Sequence, residues 1–276
     1  MPELPEVETV RRGLSARVLD RPITMVDVRR RDLRLPVPAD LARRLQGRVI
    51  RHISRRAKYL RAHLDDGAVV IIHLGMSGRL VLHDAPPNDY EAHEHVRLRL
   101  SDGTTVGFTD HRRFGLITLS DEATLEDHKL FAGLGPEPLD EAFDPPALAE
   151  RLAGKATPLK AALLDQRVVA GLGNIYVCEA LFQAGLSPRR QAGTVGLKRA
   201  TPLVHAIKDV LTRAIAAGGS SLRDYVQASG ELGFFQHGFA VYDREGEKCP
   251  GCDCASAVKR VVQSNRSTFY CAKRQR

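Results

Sequence analysis

Apolar residues follow two different periods in the first half of the chain. Val7, Val10 and Leu14 recur at helical spacing, and Pro5 among several glutamates is typical of a first helical turn. From Val49 to about Leu119 the period changes to two, in short runs separated by turns that contain glycine and aspartate. The pattern predicts an amphipathic N-terminal helix followed by an antiparallel β sandwich or barrel.

The second half of the chain has a helical apolar period. A segment with two prolines, 133–138, interrupts the strand pattern and predicts a domain boundary. Beyond it we predict helices over Pro146–Leu152, Leu159–Gln166, Asn174–Gln183 and Pro202–Ala217. Arg167–Gly173 has room only for tight turns, which predicts a helix, two turns, helix arrangement. Gly218 to about Phe239 is rich in Gly, Ser and Gln and predicts a long, mobile loop.

The charge balance changes this picture by suggesting a polyanionic partner. The 276 residues include 41 Lys and Arg against 33 Asp and Glu, a net charge of +8. Such an excess favours nucleic acid over an anionic membrane, although a merely basic protein is equally compatible with charge alone. The longest apolar run is far too short to cross a membrane, and no export signal is recognised, so we expect a cytoplasmic protein.

Four of the five cysteines lie in the last tenth of the chain. Cys249, Cys252, Cys254 and Cys271 offer four thiolates, which suit tetrahedral Zn²⁺. Strands over 258–263 and 267–270 would form a hairpin with Asn265 and Arg266 at its tip. Because this tail is too small to bury a core, metal would supply its folding energy. Unliganded cysteines are the alternative.

The first residues could carry chemistry of their own. Removal of Met1 would leave Pro2 with a secondary amine, whose reference pKa near ~8 lies below that of lysine and would be lowered further by the helix dipole. Attack of this amine on a sugar C1′ would give an iminium ion, which acidifies the C2′ proton and allows elimination of the 3′ phosphate. Glu3 is placed to shuttle protons. Alternatively, Pro2 and Glu3 only begin the helix.

Lys58 is a second candidate, in the basic run 55–61 on a predicted strand. A general acid or phosphate ligand is the functional interpretation of Lys58. A solvated basic face is the alternative, and spacing alone favours it.

Six motifs in the same order resemble the bacterial formamidopyrimidine-DNA glycosylases, also called MutM or 8-oxoguanine DNA glycosylases. They begin at Pro2, His73, Thr109, Leu134, Gly171 and Asn265, and read PELPEVET, HLGMSG, TDHRRFG, LGPEPL, GLGNIY and NRSTFYC. The resemblance implies an α+β fold and a monomer. Its domains are a helix and β-sandwich catalytic domain (1–134), a helix-two-turn-helix domain with a lesion loop (135–240) and a zinc-finger hairpin (241–276), with DNA in the cleft between them.

The resemblance also implies roles for individual residues. Pro2 is expected to be the Schiff-base nucleophile, Glu3 and Lys58 acids and bases, and Arg266 a phosphate clamp. Met76, Arg112 and Phe114, here called the wedge residues, are expected to replace the extruded nucleotide and to pair with the orphaned cytosine. Further contacts to DNA or the flipped base are expected from Glu6, His93, Lys160, Asn174, Arg223, Asp224 and Tyr225.

The resemblance implies a base excision repair enzyme of the nucleoid that removes oxidised purines from duplex DNA and nicks the strand by β,δ-elimination. One departure concerns the zinc site, because Arg274 stands where the family has its fourth cysteine, and Cys254 could replace that thiolate. Two alternatives remain: an endonuclease VIII-like enzyme for oxidised pyrimidines, and a non-catalytic DNA-binding module of the same fold.

Overall fold

The computed structural model describes residues 2–221, 228, 230–253 and 257–276. The chain divides into two compact units, one formed by residues 1–132 with 217–234 and the other by 133–216 with 235–276. This division groups 217–234 with the N-terminal sandwich, whereas the domain boundaries predicted from the sequence group it with the helices. Within the described residues, no helix is both long enough and apolar enough to cross a membrane.

Among its described residues, the first unit contains helices α1 (Leu4–Val18) and α2 (Leu41–Leu45) and eight strands. The strands are β1 (Ile23–Val28), β2 (Ile50–Arg56), β3 (Tyr59–Leu64), β4 (Ala68–His73), β5 (Arg79–His83), β6 (Glu94–Leu100), β7 (Thr105–Thr109) and β8 (Leu116–Asp121). A short 3₁₀ turn follows at Glu122–Thr124. The predicted N-terminal helix is confirmed, whereas β1 and α2 were not predicted.

The eight strands form two antiparallel sheets, in the orders β1-β6-β7-β5 and β2-β3-β4-β8. Apolar side chains from both sheets share one core with Val7, Val10 and Leu14 of α1, so the predicted sandwich is confirmed. Burying these side chains is the main favourable contribution to this unit. The core also holds a cavity of about 70 Å³, lined by apolar residues.

The second unit is helical, with α3 (Pro145–Leu152), α4 (Leu159–Leu164), α5 (Asn174–Gln183) and α6 (Leu197–Ala216), and with 3₁₀ turns at Ala192–Thr194 and Phe235–Gly238. Tight turns join α4 to α5, as predicted. The predicted start of the last helix at Pro202 is wrong, because α6 begins five residues earlier. The helix includes Pro202 although proline has no amide hydrogen to donate to the Lys198 carbonyl. Lys198 is exposed, so the missing hydrogen bond does not leave a buried carbonyl without a donor.

The second unit ends in a hairpin of β9 (Lys259–Gln263) and β10 (Arg266–Tyr270). Its two-residue loop has positive φ at Ser264 (49°) and Asn265 (58°), which is the geometry of a type I′ turn. Arg266, predicted at the tip, is the first residue of β10 and pairs with Gln263. The predicted hairpin is confirmed, and Arg266 follows its turn.

Candidate functional site

Helix α1 runs antiparallel beside β2. The Arg11 guanidinium donates to the Ile53 carbonyl at 3.2 Å, and near the other end of the helix the Asp20 amide donates to the Ile50 carbonyl at 3.0 Å. Later helix positions therefore face earlier strand positions. By extension, the beginning of α1 lies beside the turn that joins β2 to β3.

Pro2 and Glu3 are buried at this end of the sandwich. The Glu3 amide donates to Oε2 of Glu6 at 2.8 Å, a bond that belongs to the N-terminal cap of α1. Oε1 of Glu6 accepts the Ser220 amide at 2.8 Å. Glu6, expected to contact DNA or the base, thus joins the first residues of the chain to the segment around Ser220.

Lys58 occupies the two-residue turn between β2 and β3, so its predicted place within a strand is wrong. Ala57 before it has φ of +52°, which ends the strand geometry, and the Ala57 carbonyl accepts the Arg55 guanidinium at 2.9 Å. Only 8% of Lys58 is exposed. The turn places a largely buried lysine at the end of the sandwich where α1 begins.

His73, at the end of β4, is a neighbour of this lysine that its motif did not single out as a site residue. His73 pairs with Tyr59 across the sheet, and its Nδ1 accepts the Gly75 amide at 2.9 Å. Burial, together with the positive charges of Arg34 and Lys58, lowers the pKa of His73 from 6.5 to about 4. His73 is therefore neutral at pH 7, with its proton on Nε2.

The wedge residues lie on two turns at the same end of the sandwich, between β4 and β5 and between β7 and β8. Met76 is 36% and Phe114 45% exposed, and the Arg112 guanidinium carbon lies 4.8 Å from the centroid of the Phe114 ring. A Cβ on Gly75 (φ +64°) would lie 2.4 Å from the Phe114 carbonyl carbon, so only glycine fits there. The two turns thus touch through their backbones and present exposed apolar groups beside a cation.

His93 lies at this end as well, directly before β6. Its φ is +62°, and its ring centroid is 6.2 Å from that of His111. The next residue, Glu94, pairs with Thr109 at the end of β7. His93 therefore lies at the end of the sandwich that carries the wedge residues, here called the loop end.

In the second unit, two site candidates hold the hairpin. The Lys160 ammonium donates to the Ser267 carbonyl at 3.0 Å and to Thr268 Oγ1 at 2.7 Å, and Lys160 is fully buried. The Asn174 amide donates to the same carbonyl at 2.9 Å. These bonds hold Lys160 against β10, which begins with the exposed Arg266, and the expected contact of Lys160 with phosphate stays a prediction.

Glu179 is a supporting residue that sequence reasoning missed. Its carboxylate accepts the amides of Ala240, Val241 and Tyr242 at 2.8, 3.0 and 2.8 Å. The Tyr242 hydroxyl in turn lies 3.5 Å from the Asn174 amide. A signal exists in the sequence, because Glu179 is an acidic residue within an otherwise apolar helical stretch, where a buried charge requires partners.

Cys249, Cys252 and Cys271 form a cluster that could hold a metal ion, with sulfur atoms all within 4.8 Å of one another. Cys252 Sγ lies 3.5 Å from Cys249 Sγ and 3.7 Å from Cys271 Sγ. Two thiolates on a tetrahedral Zn²⁺ would be about 3.8 Å apart. Burial raises the pKa of the Cys249 thiol, so a cation is needed to hold thiolates here.

Arg274, where the family has a cysteine, donates instead to backbone carbonyls. Its Nη1 bonds Gly251 at 2.8 Å and its Nε bonds Phe182 at 3.2 Å, with the guanidinium carbon 4.9 Å from the centroid of the Phe182 ring. The other expected ligand, Cys254, lies outside the described residues. Met1, Arg223, Asp224 and Tyr225 lie outside them as well.

Comparison with known proteins identifies the family. The formamidopyrimidine-DNA glycosylase N-terminal domain matches residues 1–117, and the H2TH domain of the same enzymes matches residues 134–226. A formamidopyrimidine-DNA glycosylase from Rhodospirillum centenum is 56% identical, with 100% of both chains covered. The chain belongs to the formamidopyrimidine-DNA glycosylase family.

Solved structures of formamidopyrimidine-DNA glycosylases share the fold. MutM (FPG) from Thermus thermophilus is 40% identical, with a TM-score of 0.87 over 99% of this chain and 98% of that one. A mutant FPG from Lactococcus lactis, in complex with DNA that contains Fapy-dG, is 34% identical, with a TM-score of 0.90 over 99% of both chains. The resemblance to this family and the α+β fold class are both confirmed.

Proposed function

We propose that the protein excises oxidised purines, 8-oxoguanine and formamidopyrimidines, from duplex DNA and then nicks the strand. One observation carries the proposal: the pairing of α1 with β2 brings the beginning of the chain and Lys58 to the end of the sandwich that bears the wedge residues. A nucleophile, a buried acid and base, and exposed apolar groups are the parts that base extrusion and sugar chemistry require.

In the proposed reaction, the Pro2 nitrogen attacks C1′ of an extruded nucleotide. The N-glycosidic bond breaks, and the base leaves with a proton that Glu3 or Lys58 supplies. The Pro2 nitrogen then loses its proton and the C1′–O4′ bond of the sugar ring opens, with O4′ taking up a proton, which leaves an iminium ion at C1′. The iminium acidifies the C2′ proton, whose removal expels the 3′ phosphate, and removal of the C4′ proton in a second elimination expels the 5′ phosphate. Final hydrolysis of the iminium regenerates the Pro2 amine.

We assign phosphate contacts to Arg266, Asn174 and His93, because a guanidinium and donors at a helix N-terminus suit phosphate oxygens.

The cysteine cluster is proposed to hold one zinc ion with Cys254 as the fourth ligand. The sulfur spacing fits a tetrahedron, and zinc there would fix the hairpin that carries Arg266. Zinc is given no step in the reaction.

Borohydride trapping tests the proposal. The protein is incubated with a duplex that contains 8-oxoguanine opposite cytosine, and the iminium is reduced. We expect a covalent protein–DNA adduct from the wild type and much less from Pro2→Gly, because the primary amine of glycine, although it can form an imine, is no longer positioned by the pyrrolidine ring. Pro5→Ala, a proline change in the first turn of α1 that leaves the Pro2 amine in place, is the matched control and should still trap.

Three outcomes would overturn parts of this proposal. Salt-dependent binding without any adduct would identify a DNA-binding module. Faster excision from a thymine glycol duplex than from the 8-oxoguanine duplex would favour an enzyme for oxidised pyrimidines. An intact mass that includes Met1 in the active protein would rule out the Pro2 amine as nucleophile.

A further inference from the structure

Asp110 is a buried carboxylate at the loop end of the sandwich for which the mechanism above has no use. Only 1% of it is exposed. Its Oδ1 accepts the Ser77 hydroxyl at 2.5 Å and the Arg112 amide at 3.3 Å, and its Oδ2 accepts the Gly115 amide at 2.7 Å. One carboxylate therefore serves both turns that carry the wedge residues.

The Ser77 hydroxyl extends this connection. Ser77 follows Met76 directly, is 3% exposed, and accepts the Arg112 amide at 3.3 Å while donating to Asp110. The Met76 turn (residues 74–78) and the Arg112 turn (residues 110–115) thus share one buried hydrogen-bond network. Buried networks of this kind fix geometry, because a donor left without its acceptor is costly.

The backbone of Asp110 adds a third fixed point. Its amide donates to the His93 carbonyl at 3.1 Å, and its carbonyl accepts the Arg113 amide at 3.2 Å and a ring nitrogen of His95 at 2.8 Å. The first residue of the Arg112 turn is therefore anchored to the start of β6, and its carboxylate holds the Met76 turn against this fixed point. Relative movement of the two turns would break at least one of its bonds.

We propose that Asp110 is a positioning residue that sets the Met76 turn against the Arg112 turn and thereby determines how well the protein discriminates the base opposite the lesion. The proposal rests on the proposed function and on the predicted pairing of Arg112 with the orphaned cytosine. A guanidinium can donate to both O2 and N3 of cytosine, whereas adenine presents one acceptor and one donor on its pairing edge. A small displacement of Arg112 would therefore affect the lesion·cytosine duplex more than the lesion·adenine duplex.

Asp110→Asn is the most direct test, because it preserves shape while replacing one acceptor by a donor. With the amide oxygen towards Gly115, its NH₂ group faces the Arg112 amide, and donor then meets donor; Ser77 can rotate its hydroxyl and escape. Single-turnover excision is measured on 8-oxoguanine·cytosine and 8-oxoguanine·adenine duplexes. We expect the ratio of the two rates to fall about fivefold in Asp110→Asn.

Ser77→Ala is the second variant and keeps the test decisive if Asp110→Asn does not fold. It removes one donor and one acceptor but leaves the Asp110–Gly115 bond, so we expect a fall of about twofold. Asp102→Asn is the matched control, since Asp102 also accepts an amide and a hydroxyl, both from Thr104, in the turn at the opposite end of the sheet. Its ratio should equal that of the wild type.

Equal slowing on both duplexes, or an unchanged ratio in folded Ser77→Ala and Asp110→Asn, would overturn the inference and leave the proposed function intact. The proposed function fails differently, when the wild type excises 8-oxoguanine from neither duplex. A double-mutant cycle between Met76→Ala and Arg112→Ala gives an independent readout. Coupling between the two residues is expected in the wild-type background and should be lost in Asp110→Asn.

Discussion

The two units fix their candidate site residues by opposite chemistry. In the sandwich, buried acceptors hold the backbone amides of the turns: Asp110 holds Gly115, and His73 holds Gly75. In the hairpin unit, a buried donor, Lys160, holds a backbone carbonyl of β10, and Cys271, one of the three clustered cysteines, directly follows that strand. The turns that carry the wedge residues are thus held by neutral or acidic acceptors, whereas β10 is held by a cation and, by our proposal, by a metal ion.

Removing a metal ligand should affect the hairpin far more than the sandwich, and this is the largest effect that we expect. In Cys271→Ser we expect loss of bound zinc and a fall of at least about tenfold in affinity for lesion DNA, because the hairpin lacks a core of its own. Elemental analysis and equilibrium binding measure the two effects. Melting of the sandwich should change little.

Cys178→Ala is the matched control for this loss. Cys178 is buried in the apolar cluster that also contains Cys271, but it does not belong to the group of three cysteines that could hold a metal ion. It should retain zinc. Full metal content in Cys271→Ser would exclude Cys271 as a required ligand.

Acid should act on the sandwich through His73. Its folded pKa of about 4 lies below the ordinary value of 6.5, so the unfolded chain binds a proton that the folded chain does not. The stability that neutral His73 provides is complete above pH 6.5 and is lost as the pH falls towards 4, by about 3 kcal/mol in total. We expect the free energy of unfolding, measured by urea denaturation, to fall less over this range in His73→Asn.

Asparagine places an acceptor where His73 Nδ1 lies and does not titrate, so the Gly75 contact can persist. His205→Asn, on an exposed position of α6, is the control and should keep the wild-type dependence on pH. Identical pH profiles for wild type and His73→Asn would contradict the assignment.

The smallest effect is expected from the donor that holds the hairpin. Lys160→Met should destabilise the second unit by about 1 to 2 kcal/mol, because the Ser267 carbonyl and the Thr268 hydroxyl lose a buried donor. Limited proteolysis within the hairpin and denaturant unfolding measure the change. Lys208→Met is the control, because it removes an exposed hydrogen bond in which the ammonium of Lys208, on α6, donates to the Asp140 carbonyl. Equal behaviour of the two variants would remove Lys160 from any positioning role.

The elements with a clear apolar period could be predicted from the sequence. Val7, Val10 and Leu14 are enough to define α1, and the cysteine spacing with its short strands is enough to define the hairpin. Six ordered motifs also identified the family. Boundaries were less accessible: the strand pattern around Lys58 concealed a two-residue turn, and Pro202 suggested a helix start that α6 does not use.

The rest of the site could not be predicted because it consists of partnerships between distant residues. No local pattern shows that the Lys160 ammonium reaches Thr268, that the Glu179 carboxylate collects three amides, or that Asp110 joins two turns. Each is a buried polar group whose partner is far away in sequence. Such groups can be suspected from an isolated charge in an apolar stretch, but their partners require the fold.

The apolar cavity of about 70 Å³ in the sandwich core affects how the protein responds to pressure. Unfolding eliminates such empty space and so lowers the volume of the system, and hydrostatic compression favours whichever state occupies less volume. We therefore expect hydrostatic pressure to destabilise the sandwich, the unit that carries the proposed nucleophile Pro2.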